Sequence, residues 1–376
     1  MPDTVTVRSS PAAQPATSAS LILECLRIRA IRVPLARPMH TSSGSILDAP
    51  LALIEVVTRQ GVRGFAYLFA YQPAALKPLC TLLDNLGAAL AGESIAPFGL
   101  EARLQQRFRL LGPQGLTGMA ISGIDMAAWD AFARSRDLPL CRLLGGEPRP
   151  IRAYNSLGLD GAKAAGRQAV ESAEQGFRAL KIKIGYPDLH DDVAAIRAVR
   201  SAVGDALALM VDYNQSLDVA EAIRRIRVLD DEGLAWIEEP TRADDYAGHA
   251  RIRAAVRTPI QIGENWWGVP DMAKSLAAGA SAFAMPDVMK IGGVTGWMRA
   301  AALAQAAGVP MSSHIFVEVS SQLLAVTPTC HYVEFLDKAR PILTTPAQLV
   351  DGNIVLSEAP GSGVEFDEQA VTRYLA

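Results

Sequence analysis

Cysteine is scarce in this chain, and the four present are isolated. Cys25, Cys80, Cys141 and Cys330 stand singly, with no paired spacing. That excludes a disulfide framework and a thiolate zinc site, and it suits a reducing cytoplasm. An excess of either charge is also missing. The 36 Lys and Arg against 39 Asp and Glu leave a formal net charge of −3. Nothing in that balance calls for a nucleic acid or a membrane surface as partner. No uninterrupted apolar stretch is long enough to span a bilayer. Residues 1–20 are rich in Ser, Thr, Ala and Pro, without the basic start and apolar core of a signal peptide. They read as a disordered extension.

What is present is an ordinary globular balance, 50% hydrophobic and 20% charged over 376 residues. It is enough for one large domain and a smaller one. The stretches 21–33 and 51–58 alternate apolar and polar residues, and Gly61-Val62-Arg63-Gly64 turns the chain into 65–69. These predict a small antiparallel sheet. Between the first two strands, His40 to Ser45 reads as a polar, mobile loop. Helical spacing follows over 74–91, 98–110 and 117–136. Residues 21–145 therefore predict an α+β capping domain.

Past Pro150 the texture is periodic. Short apolar segments at 151–156, 178–184, 207–213, 234–239, 259–264, 281–287, 310–314 and 331–336 alternate with helical stretches. Eight strand–helix units in this length predict an α/β fold, a modified (β/α)8 TIM barrel over 146–345. The eighth unit lacks a convincing helix over 339–345, so the form expected is (β/α)7β. The tail, 346–376, reads as strand and loop returning to the capping domain.

Nearly every barrel segment ends in a polar residue. In order these are Ser156, Lys183, Asp212, Glu238, Glu264, Asp287, His314 and Glu334. Parallel strands open their C-terminal ends on one face, where barrel enzymes place their chemistry. The eight should converge on one cavity. Asp212, Glu238 and Glu264 would repel one another there unless a divalent cation lies among them. Oxygen-only ligation suits Mg²⁺, with Mn²⁺ the alternative. Alternation favours Glu238 over Glu239, whose partner should be a lysine or backbone group. Asp287 behind His314 would fix the imidazole tautomer and raise its basicity. Lys183 and His314 are then two candidate bases on opposite faces of whatever is bound. Lys181, on the same strand face as Lys183, should lower the pKa of Lys183 by repulsion. Glu334, if protonated, would donate to a developing oxyanion.

These motifs carry a resemblance. Lys181-Ile-Lys183, Val-Asp212-Tyr-Asn214, Trp-Ile-Glu238-Glu-Pro, Gly-Glu264-Asn, Pro-Asp287 with Lys290-Ile-Gly-Gly, and Ser-Ser-His314 together resemble the mandelate racemase subgroup of the enolase superfamily. The likeness runs from about residue 22 to the C-terminus. It implies Mg²⁺ on Asp212, Glu238 and Glu264, and α-proton transfer by Lys183 on one face and the Asp287–His314 dyad on the other. It implies that Lys181 and Glu334 hold the substrate carboxylate as an enediolate forms. Substrate contacts would come from Ser156, Asn214, Met39, Thr41, Ser43, Ile46, Phe69, Tyr71, Ile315 and Leu336. A homo-oligomer, an octamer, is expected by resemblance only. Met39 and Ser43 depart from the small aliphatics of the family's aryl pocket. The activity implied is racemisation of a 2-hydroxy acid with an aryl or apolar side chain. Dehydration of an acid sugar at the same site stays open, and a non-catalytic binding protein on this barrel is the remote alternative.

Overall fold

The N-terminal alternation folds into an antiparallel sheet of β1 (Leu23–Thr41), β2 (Gly44–Thr58) and β3 (Arg63–Phe69), paired in that order. The computed structural model describes residues 20–41 and 44–376, so Ser43 and all but Ser20 of the expected extension lie outside the described residues. One expectation is corrected. The polar stretch at His40 is not a loose loop but the outer part of the β1–β2 hairpin. Met39 pairs with Ile46, His40 with Ser45 and Thr41 with Gly44. A register shift between Pro34 and Met39 sets this arm apart from the main ladder. Pro34 and Pro38 cannot donate to a ladder, which explains the break. The arm is tied to the barrel, where Leu159 N–H donates to the His40 carbonyl at 2.8 Å.

Three cap helices follow, α1 (Pro73–Leu90), α2 (Pro97–Arg107) and α3 (Gly115–Arg134), and a short α4 (Leu140–Leu143) leads out. The barrel then runs β4 (Ile151–Ser156), α5 (Ala162–Glu174), β5 (Ala179–Lys183), α6 (Leu189–Val203), β6 (Ala208–Asp212), α7 (Val219–Leu229), β7 (Ile237–Glu238) and α8 (Tyr246–Ala255). It continues through β8 (Ile260–Ile262), α9 (Val269–Ala277), β9 (Phe283–Ala284), α10 (Gly293–Ala307), β10 (Met311–Ser313), α11 (Val317–Ala325) and β11 (Cys330–Phe335). Neighbouring strands are parallel, and β11 closes on β4 with Glu334 opposite Tyr154. Only a 3₁₀ turn, Arg340–Ile342, follows β11, so the barrel is (β/α)7β. Tyr154, Met210, Trp236 and Met285 pack together inside it. The barrel is filled there, and chemistry is confined to its mouth.

The tail forms a hairpin, β12 (Gln348–Val350) and β13 (Asn353–Val355), whose second strand pairs antiparallel with β4. Helix α12 (Glu368–Arg373) follows, and Leu375 bridges to Ile31 of the cap.

Helix α3 is the seam between the two layers. Its Ala, Gly and Met residues are buried on almost every face, as a helix apolar all round requires. On the barrel side, Trp129 Nε1 donates to Thr295 Oγ1 at 2.9 Å, and that hydroxyl donates to Asp125 at 2.6 Å. Burial pushes the Asp125 pKa up to about 7. Asp130 accepts from Phe65 N–H of the sheet and from the backbone and hydroxyl of Ser362 in the tail. On the cap side β3 lies against the helix backbone at Gly64. A Cβ there would sit 2.2 Å from the Ala127 carbonyl oxygen and 2.6 Å from Ala131 N. Gly64→Ala must therefore push β3 off α3, at a cost of about 1–3 kcal/mol. A urea denaturation midpoint that does not fall would show that sheet and helix are not so tightly joined.

Candidate active site

Strand register brings the first functional groups together. Lys183 pairs with Asp212, and Asp212 with Glu238, so three neighbouring strand ends present them at one level. Ser156 is paired with Lys181 one layer below. Glu264 lies two residues past β8, beyond Gly263, whose φ is 141°. A Cβ on Gly263 would come 2.8 Å from Met285 N, so only glycine lets the two chain segments pass this closely. Asp287 and His314 form an isolated parallel bridge beyond β9 and β10.

The carboxylates of Asp212, Glu238 and Glu264 offer oxygens that all lie within 4.8 Å of one another. Asp212 and Glu238 are fully buried. Burial, with Asp212, Glu264 and Glu334 close by, pushes Glu238 up to about 8 against the opposing charge of Lys181. Glu264 moves the other way: burial raises it, but His314, Lys181, Lys290 and Lys183 together hold it low. A trio of hard oxygen donors that cannot all ionise cheaply fits a small divalent cation. Glu239 turns away, as alternation required. Asn265 Nδ2 donates to both its oxygens at 3.0 and 2.8 Å, and Lys290 donates to Asn265 Oδ1 at 2.7 Å.

Lys181 is buried and bonds Glu238 at 2.6 Å and Glu334 at 2.9 Å. Burial lowers its pKa, and the two carboxylates more than reverse that, so it stays charged. Lys183 bonds Asp212 at 2.8 Å. The repulsion expected from Lys181 is present here, though it does not set the outcome. Burial and Lys181 do push Lys183 down, but Asp212 and Glu264 outweigh them, and its pKa is raised. Glu334 is likewise not the protonated donor considered from sequence. Burial raises it, yet Lys181 and His314 bring it well below the usual carboxylate range. It accepts from Lys181 and from Ile315 N–H at 3.2 Å.

His314 Nδ1 lies 2.7 Å from Asp287 Oδ2, and Met289 N–H donates to the other oxygen at 2.6 Å. The carboxylate can only accept, so Nδ1 carries the proton and Nε2 faces Glu264 at 3.5 Å. Strained backbone surrounds this mouth. Of the eight non-glycine residues with positive φ among the described residues, Tyr71, Asn214, Gln215, Glu239, Ile315 and Phe316 are here.

Above these groups is a cavity of ≈ 240 Å³. Lys183, Glu264, His314, Glu334, Ser156 and Asn214 line it from the barrel, and Met39, Thr41, Ile46, Phe69 and Tyr71 from the cap. Leu336 completes the expected wall. Ile315 does not line it; it is buried and contributes its backbone N–H. Asn214 Nδ2 is turned onto Asp212 at 2.8 Å. Two residues escaped the sequence reading. Gln261, inside the apolar β8, donates to Glu238 at 3.1 Å. Its polar side chain between two isoleucines was the available signal. Lys338 also lines the cavity. It stands two residues past Leu336, on the same alternation as Glu334, Leu336 and the strand before them.

A cap over a closed barrel, with carboxylates, a lysine and a histidine at the C-terminal mouth, defines a capped-barrel enzyme of the enolase kind. The chain belongs to the enolase superfamily, in its mandelate racemase / muconate lactonizing enzyme branch. Residues 25–145 match the N-terminal domain model of that branch, and residues 164–370 match the enolase C-terminal domain-like model. An enolase from Bradyrhizobium, solved with magnesium and mandelic acid, is 47% identical with a TM-score of 0.93, covering 96% of this chain and 100% of that one. The L-talarate/galactarate dehydratase of Salmonella typhimurium is 29% identical over 98% of this chain and 95% of its own length. A 3,6-anhydro-alpha-L-galactonate cycloisomerase of Streptomyces coelicolor is 31% identical over 94% of this chain and 99% of its own. Mg²⁺ is the cofactor of the superfamily, and Asp212, Glu238 and Glu264 fit it. No helix among the described residues is long and apolar enough to cross a membrane.

The raised Glu238 sets a pH rule. Its proton must leave before a cation binds, so Mg²⁺ should bind more tightly and release fewer protons as pH rises toward 8. Calorimetry in buffers of different ionisation enthalpy would measure both. Mg²⁺ at 100 times its Kd should stabilise the fold by about 2.7 kcal/mol. Glu264→Gln should abolish most of that gain, and an undiminished gain would place the metal elsewhere.

Proposed function

We propose that this protein is a Mg²⁺-dependent racemase of a 2-hydroxy carboxylic acid, acting through α-proton transfer by two bases. The observation that carries the reading is that Lys183 and His314 enter one cavity from β5 and β10, three strands apart one way round the ring and five the other. An α-carbon held between them can give its proton to one, and the planar centre that remains can take a proton from the other on the opposite face. The mandelic acid complex of the 47% identical structure supports the substrate class.

Each group has a part set by its surroundings. Asp212, Glu238 and Glu264 would hold Mg²⁺, which when bound supplies positive charge to the substrate's carboxylate and 2-hydroxyl. Lys181, charged and buried, faces the same carboxylate and steadies the negative charge that grows on its oxygens. Glu334 holds Lys181 and Ile315 N–H in place at the opposite edge. Asp287 keeps the His314 proton on Nδ1, so Nε2 accepts the α-proton. Once neutral, Lys183 does the same from the other face. Its ion pair with Asp212 opposes that, and any neutralisation of Asp212 by a cation lowers the Lys183 pKa toward use.

A second reading has its own support, the dehydratase relative that spans 98% of this chain. There His314 would protonate a departing 3-hydroxyl, and the product would be a 2-keto acid.

One experiment separates them. In D₂O, Lys183→Ala and His314→Asn should each lose racemisation by at least about 10³-fold, within the usual contribution of a general base. Each should still exchange the α-proton of one enantiomer, and not the same one. Exchange of both enantiomers by Lys183→Ala would sink the two-base assignment, and 2-keto acid in the wild-type reaction would favour dehydration.

A further inference from the structure

The cap side of the cavity is apolar at Met39, Ile46, Phe69 and Leu336, with one cation among them, Lys338. This lysine is 8% exposed, and its Nζ lies 4.8 Å above the Phe69 ring. Its ammonium makes no hydrogen bond or ion pair with any of the described residues. The acids near it are committed elsewhere. Glu334 is bound to Lys181, and Asp337 accepts from the Arg340 backbone at 2.9 Å and its guanidinium at 3.3 Å. The remaining cations of the site, Lys181, Lys183 and Lys290, each bond a side-chain oxygen.

The side chain is nearly buried while its ammonium opens on the cavity without an acid of its own, and a cation–π contact offsets only part of the cost of holding a charge there. A purely apolar substrate pocket has no use for such a group. Burial pushes its pKa down to about 8, with Glu334 opposing. A second cavity shares Met39, Ser156, Leu336 and Lys338 with the first, so space continues past the lysine.

We propose that Lys338 is a specificity-determining residue that binds an oxygen acceptor on the substrate's side chain, beyond C2. The assignment rests on the reading of the cavity as a 2-hydroxy acid site. It narrows the class from apolar acids to those whose far end carries a hydroxyl or carboxylate oxygen. Phe69 then fixes the lysine's direction and does not define an aryl slot.

The test uses one five-carbon scaffold with three ends: 2-hydroxypentanoate, 2,5-dihydroxypentanoate and 2-hydroxyglutarate. Binding to the magnesium-loaded protein is measured by calorimetry. Wild type should bind at least one oxygen-bearing acid about 10–100-fold more tightly than 2-hydroxypentanoate, the range of a hydrogen bond to a charged group. Lys338→Met should erase that preference and leave 2-hydroxypentanoate unchanged or tighter. Lys338→Gln, which keeps a donor without charge, should retain a preference for the hydroxyl and lose one for the carboxylate. It also decides the matter if the Met variant fails to fold. A wild type without preference, or an equal loss across the series in the variants, overturns the proposal. Solvent exchange of the α-proton is followed in parallel. Its absence, with the preference intact, overturns the racemase reading alone.

Discussion

Crowding of like charge at the barrel mouth is the constraint on which the rest depends. Asp212, Glu238, Glu239, Asp287 and Glu334 are each no more than 1% exposed, and Glu264 stands among them. Water cannot screen them, so every neighbouring element is committed to charge balance. Lys181 is shared by Glu238 and Glu334, Lys183 by Asp212, and Lys290 reaches Glu239 through Asn265. Even so, Glu239 and, within the trio suited to a cation, Glu238 stay raised by burial. Such a cluster is a poor way to gain stability and a good way to hold positive charge where an anion must form.

The fold meets this constraint with short strands and rigid ends. β7 and β9 are two residues long, and the groups that matter lie at or just past the last pairing. Positive φ at Asn214, Glu239 and Ile315 turns the chain sharply as soon as each strand is complete. Pairing alone fixes Lys183, Asp212 and Glu238 at one level. His314 needs a carboxylate behind it, supplied by the Asp287 bridge.

Much of this was legible in the sequence because a parallel barrel repeats. One polar residue at each strand end, at near-constant spacing, is a periodic signal, and it marked the eight positions without any measure of distance. What was not legible lacked a period or depended on competing charges. The hairpin arm around His40 has the Ser, Thr and Gly content of a loop, yet a two-stranded ribbon with solvent outside needs no apolar alternation. The repulsion of Lys183 by Lys181 was legible, but its outweighing by Asp212 was not, because sequence does not show that Asp212 is 2.8 Å away. Lys338 lies past the end of β11, where the chain leaves the repeat, so only the alternation carried on from Glu334 and Leu336 links it to the cavity.

Chemistry and recognition therefore sit on different parts of the chain. In the proposed reading, proton transfer belongs to strand ends whose positions the barrel enforces, and altering one disturbs the charge balance of its neighbours. In the same reading, recognition belongs to the arm, to Phe69 and Tyr71, and to the exit of β11, which lie outside the barrel's strand ladder. Met39 or Lys338 can change without moving Lys183 or His314. That separation explains how relatives with nearly the same length and fold include a dehydratase and a cycloisomerase. It also explains why the barrel alone cannot decide between racemisation and dehydration. The two differ in whether His314 meets carbon or a departing hydroxyl. In the proposed reading, what the substrate presents to His314 is set by how its far end is held, and Lys338 is a cation placed on that side of the cavity.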